Sequence, residues 1–121
     1  MKSIITSIAL VAILAIAACT ERDSTAPSVT ITSPTTDTTY AAGDIINIDF
    51  SVTDESNIDG LDVESLLPGE ASITAGRETP SFGSVMYTVD ENAPPGRYGI
   101  TILVTDVEDN VGSDSLTVVI F

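Results

Sequence analysis

From Val29 onward the chain alternates apolar and polar residues, the period of a strand with one buried and one wet face. The pattern is plainest between Asp44 and Thr53. There Ile46, Ile48, Phe50 and Val52 fall on one side, and Asn47, Asp49, Ser51 and Thr53 on the other. Val29 and Ile31 begin the series, and Ser33-Pro34 breaks it. Ile58, Leu61 and Val63 suggest a third strand, and Ala71 to Ala75 a short, weakly marked fourth. Val85, Tyr87 and Val89 mark a fifth, Tyr98, Ile100, Ile102 and Val104 a sixth, and Leu116, Val118 and Ile120 a seventh. Turn residues separate these runs at the spacing of about 8–12 residues that accompanies an all-β sandwich or barrel. No helical period occurs after residue 18.

The first 18 residues are a different object. Lys2 gives a positive start, and Ile8 to Ala18 run apolar. At about 1.5 Å per residue this run is too short for a hydrocarbon core of about 30 Å, so an export signal fits better than a membrane-spanning helix. It ends in Ile16-Ala17-Ala18-Cys19, which resembles the lipobox of bacterial lipoproteins. That resemblance implies cleavage before Cys19 and acylation of its thiol and its new amine. Several acyl chains give stable anchoring, at about 0.8 kcal/mol per buried methylene. Thr20, where an Asp would imply retention at the inner membrane, implies the outer membrane. Residues 20–28 (TERDSTAPS) are polar and read as a tether. Glu21 and Asp23 loosely resemble acidic surface-sorting tags. The expected organisation is therefore a cleaved lipoprotein signal peptide at 1–18, a lipid-anchored tether at 19–28 and one β domain at 29–121.

Seven short strands in that length match a seven-stranded antiparallel immunoglobulin-like sandwich. Pro94-Pro95-Gly96-Arg97-Tyr98 places a Tyr at the start of the sixth strand and resembles the tyrosine corner of such sandwiches. Gly96 and Tyr98 are structural residues on that reading, and Tyr98 as plain core would be structural too. With Pro27-x-Val29-x-Ile31, Tyr40-x-x-Gly43-Asp44, Val52-Thr53-Asp54 and Val104-Thr105-Asp106, the chain resembles the bacterial Ig-like and cadherin-like domains of Bacteroidota lipoproteins, some of them in families without an assigned function. The resemblance specifies the fold well and the ligand poorly, since such folds carry many functions.

Charge and composition narrow the chemistry. The chain has 18 Asp and Glu against 4 Lys and Arg, a formal charge of -14, with no His, no Trp and one Cys. No His-based catalytic triad or His metal site can be built, and one Cys makes no internal disulfide. Nucleic acid is not a partner for such an acidic chain, because phosphate contacts need clustered cations. Lys2 is the one basic residue before Cys19. From Cys19 onward 18 acids therefore face only Arg22, Arg77 and Arg97, a formal charge of -15. The 43% of hydrophobic residues in the whole chain is inflated by the export signal.

In sandwich order, the loop after the second strand (Asp54, Glu55) and the loop after the sixth (Asp106, Glu108, Asp109, Asn110) lie at one end. Calcium takes six to eight oxygens from such groups. Asp54, Glu55, Asp106, Asp109 and Asn110 are thus the candidate Ca2+ ligands, solvated loops being the plainer alternative. Asp106 to Asn110 (DVEDN) is similar to the Asp-Asn-rich segment of cadherin-like domains, although no Asp-x-Asn-Asp-Asn string is present. Glu55-x-Asn57-x-Asp59-Gly60 fails as an EF-hand loop, because position 1 is a Glu and position 12 is Leu66. No acid pair stands out as a glycosidase dyad. Asp23-Ser24-Thr25, Asp37-Thr38-Thr39 and Asp114-Ser115-Leu116 resemble O-glycosylation motifs of Bacteroidota.

The sequence therefore reads as a membrane-anchored, non-enzymatic lipoprotein presenting an Ig-like binding or adhesion module, with an unknown protein or glycan partner. One alternative is an accessory carbohydrate-binding lipoprotein of a glycan-uptake system, which needs an exposed aromatic platform. Tyr40, Phe82 and Phe121 are the candidates for it. The other alternative is a fimbrial-type assembly subunit completed by a donated strand.

Overall fold

The computed structural model describes residues 25–121. Cys19, the export signal and most of the tether lie outside the described residues. Among the described residues no helix is long and apolar enough to cross a membrane.

The alternation becomes eight strands: β1 (Ser28–Ser33), β2 (Thr38–Tyr40), β3 (Ile45–Thr53), β4 (Ile58–Ser65), β5 (Gly69–Ala75), β6 (Ser81–Val89), β7 (Gly96–Asp106) and β8 (Val111–Ile120). They form two four-stranded sheets in the orders β1-β3-β6-β5 and β2-β8-β7-β4. The apolar face of each strand turns toward the opposite sheet. Ile46, Ile48, Phe50 and Val52 of β3 and Val85, Tyr87 and Val89 of β6 meet Ile100, Ile102 and Val104 of β7 and Leu116, Val118 and Ile120 of β8. Each such side chain contributes about 1.5–3 kcal/mol by leaving water, which is why a period of two governs the whole domain.

The fold is the expected all-β sandwich with two corrections. Among the described residues there are eight strands rather than seven, and the additional β2 runs parallel to β8, pairing Thr38 with Val118 and Tyr40 with Ile120. After Ser33-Pro34 the chain leaves the first sheet and joins the second. Three residues are too few for alternation to announce a strand. The first strand also begins at Ser28, one residue before the expected boundary, and Pro27 is already buried.

Two irregularities have local causes. Ile58 and Leu61 both face inward although three positions apart, which a regular strand forbids. A bulge resolves this: Ile58 pairs with Asp106 and Gly60 with Thr105, so Asp59 is skipped. The weakly marked fourth strand is β5, an edge strand pairing only with β6. Its inward positions Ala71, Ile73 and Ala75 stay partly wet or exposed, so strong hydrophobicity is not required there.

Candidate functional site

The acidic end of the sandwich is built by the β3–β4 loop and the β7–β8 turn, which the sheet order brings together. Val107 N donates to Asn57 O across them at 3.0 Å. Asp106 is fully buried, 0% exposed. Its Oδ1 accepts the backbone N–H of Glu108 at 2.8 Å and of Asn110 at 2.9 Å, and its Oδ2 accepts Asn110 Nδ2 at 3.1 Å. Burial by itself pushes the carboxyl up. The bonds from Asn110, from the Asp54 side chain and from the Glu108 backbone outweigh it and hold Asp106 below the ordinary carboxylate range.

The structure thus brings Asp54 and Asp106 into contact, with Asn110 as third member. Glu55 and Asp109 are exposed beside them, Asp109 with a positive φ of 65° in the turn. Among the described residues no group of three or more His, Cys, Asp or Glu is placed to hold a metal ion. Both oxygens of Asp106 accept bonds from the turn that follows it.

The start of β7 is fixed by a backbone feature. Gly96 has φ +156°, a conformation L side chains rarely adopt. Two residues later the Tyr98 hydroxyl donates to Pro94 O at 2.7 Å, tying the loop to the strand that follows it.

Tyr98 also lines a groove of about 530 Å³ on the outer face of the β2-β8-β7-β4 sheet, with Glu64, Ser65, Leu66, Arg97, Gly99 and Thr101. Leu66 is 92% exposed on its rim. The polar groups of this groove are largely engaged with the protein. Arg97 pairs with Asp37 at 2.6 Å, Ser65 Oγ donates to Gly99 O at 2.6 Å, and Thr101 Oγ1 and Ser115 Oγ share a bond at 2.8 Å.

A second groove, of about 510 Å³, lies on the outer face of the other sheet and carries Phe82, which is 79% exposed. Of the three aromatic candidates, Tyr40 packs half-buried against the core, where burial first and the Asp44 carboxylate second raise its phenol above the ordinary value. Phe121 is 72% exposed and lines neither groove.

This architecture is that of a bacterial immunoglobulin-like module. Residues 27–118 match the model of the bacterial Ig domain, and the chain belongs to that family. Among solved structures it is similar to the sialic acid binding region of a Streptococcus sanguinis SK1 adhesin bound to 3'sLn (TM-score 0.61, 19% identity, 81% of this chain and 30% of that one). It is also similar to the GspB Siglec domain (TM-score 0.61, 16% identity, 82% and 59%). A third likeness is to the fibronectin(III)-like modules of Clostridium thermocellum CbhA (TM-score 0.52, 22% identity, 78% and 46%). The chain spans less than two thirds of each of these structures, and the likeness is one of fold. Comparison with curated protein sequences gives no match.

Proposed function

We propose that this chain is a non-enzymatic Ig-like adhesion or binding module, held at the bacterial outer membrane by lipid on Cys19. The carrying observation is the short distance along the chain between Cys19 and the first strand, which opens at Ser28. A diacylglyceryl Cys19 would tether the sandwich close to the bilayer while its two grooved sheet faces stay open to partners. The fold shared with adhesin domains supports the binding half of this reading. The expected outcome is that cells expressing the full chain incorporate labelled palmitate into it and that it sediments with outer-membrane vesicles. Cys19→Ala should lose both. A wild-type chain that takes up no label would overturn the anchor.

The carbohydrate-binding alternative gains from one observation. Phe82 offers an exposed ring beside a groove lined with hydroxyls.

A further inference from the structure

We propose that the groove around Phe82 is a subsite for a neutral sugar residue of a glycan, with the Phe82 ring as its stacking platform. The proposal rests on the reading of the chain as a binding module and gives that module a ligand class.

The geometry comes from the register of three strands. Thr74 on β5 lies opposite Ser84 on β6, and Ser84 lies opposite Asp49 on β3. These outward-facing residues form one polar row, about 4.8 Å from strand to strand. Thr32 on β1 extends the lining, and Ser33 Oγ donates to Asp49 Oδ2 at 3.0 Å, which holds the carboxylate beside the groove.

Phe82 stands next to this row, two positions before Ser84 along β6. Its neighbour on β3 is the small Ser51, and β5 ends at Ala75 before reaching it. Ser81 Oγ bonds Gly76 O at 2.8 Å and so ties the departing chain inward. The ring therefore stands uncovered above its neighbours. Gly83 is part of the lining, and its position has no room for a side chain on the core side, where a Cβ would come within 2.5 Å of the buried Phe50 ring and 2.7 Å of Ala75 Cβ.

The chemistry selects the ligand. The face of an aromatic ring is electronegative and attracts the slightly positive C–H face of a pyranose. Hydroxyls both donate and accept, as sugar hydroxyls do, and a fixed carboxylate accepts two more bonds. A Lys or Arg side chain of a protein partner has no acceptor for the hydroxyl donors of Thr74 and Ser84, which a sugar can use. No Lys or Arg lines the groove, and the strongly acidic chain repels anionic sugars. Arg97, Ser65 and Thr101 of the opposite groove are committed to internal bonds; here Thr32 Oγ1 likewise donates to Asp49 O at 3.2 Å, so Thr74 and Ser84 carry the donors offered to a ligand.

The test uses full-length protein in detergent on an array of neutral and sialylated oligosaccharides, with a Lys-rich peptide as competitor. The expected result is binding to neutral glycans, weakened about tenfold by Phe82→Ala and retained by Phe82→Trp, with no displacement by the peptide. Asp49→Asn with Ser84→Ala should weaken it as well, and thermal melts should verify that all variants fold. Loss of binding in Thr101→Ala with Phe82→Ala unaffected would overturn this subsite while leaving a glycan-binding module standing. Binding only to sialylated glycans, displacement by the Lys-rich peptide, or no glycan binding by the wild type would also overturn it. The palmitate label on Cys19 reads the anchor separately.

Discussion

Asp106 illustrates how a single buried carboxylate anchors a turn. Its fully buried carboxylate collects two backbone N–H groups and an amide, bonds that require the charged form. The folded-state pKa is therefore held below the ordinary value. A depressed carboxyl contributes stability that is fully present above its unfolded value, about pH 4, and is lost as pH falls through the folded one. Asp106→Ala is expected to lower the melting temperature at neutral pH. On acidification below about pH 4 the gap to wild type should shrink, which thermal melts at a series of pH values would measure. Comparing the two proteins cancels the general relief of negative charge that acid brings to both. Tyr98 was legible earlier, since Pro-Gly before a strand-initial Tyr names a corner, and its hydroxyl does reach Pro94 O.

Among the elements, the edge strands show what alternation along one chain leaves unsaid. An edge exposes unpaired backbone groups that can recruit another chain. On β1, Asp114 of β8 covers part of that edge by accepting the Ile31 N–H at 2.8 Å through Oδ2. Asp114→Ala is expected to cost about 1–3 kcal/mol, the penalty for leaving a partly buried donor without its acceptor. Urea denaturation monitored by far-UV circular dichroism would give the difference, and a loss below about 0.5 kcal/mol would contradict this role. In the sequence Asp114 stands out only within a short O-glycosylation-like motif, and nothing marks it as an edge-strand acceptor, because its partner lies 83 positions away. β3, β6, β7 and β8 are legible for the opposite reason, each being several alternations long. β2 was not, since it holds only three residues and changes sheets.

For the molecule as a whole, charge is the dominant uncompensated quantity. From Cys19 onward the formal charge is -15, and among the described residues the ion pair of Arg97 with Asp37 is solvent-exposed and adds little. Folding gathers these like charges, so self-repulsion opposes the compact state. Raising NaCl from about 10 mM to about 150 mM shortens the Debye length from about 30 Å to about 8 Å. The melting temperature is expected to rise across that range in scanning calorimetry, and a fall would contradict the electrostatic account. The same charge disfavours anionic partners, which is why a neutral rather than a sialylated glycan is expected at the Phe82 groove.

The amino-acid sequence by itself determined the sandwich. Alternation is a local property, and burying one face of each strand is the largest favourable term for a domain of this size. It also pointed to one end of the molecule as acidic and to Tyr98 as a corner residue. Tertiary structure alone decided which acids are spent inside the fold, where β1 hands over to β2, and that no neighbouring strand covers Phe82. Those outcomes depend on register between strands distant in the chain and on where a neighbouring strand ends. A one-residue change in either would alter them while leaving the alternation along each strand intact.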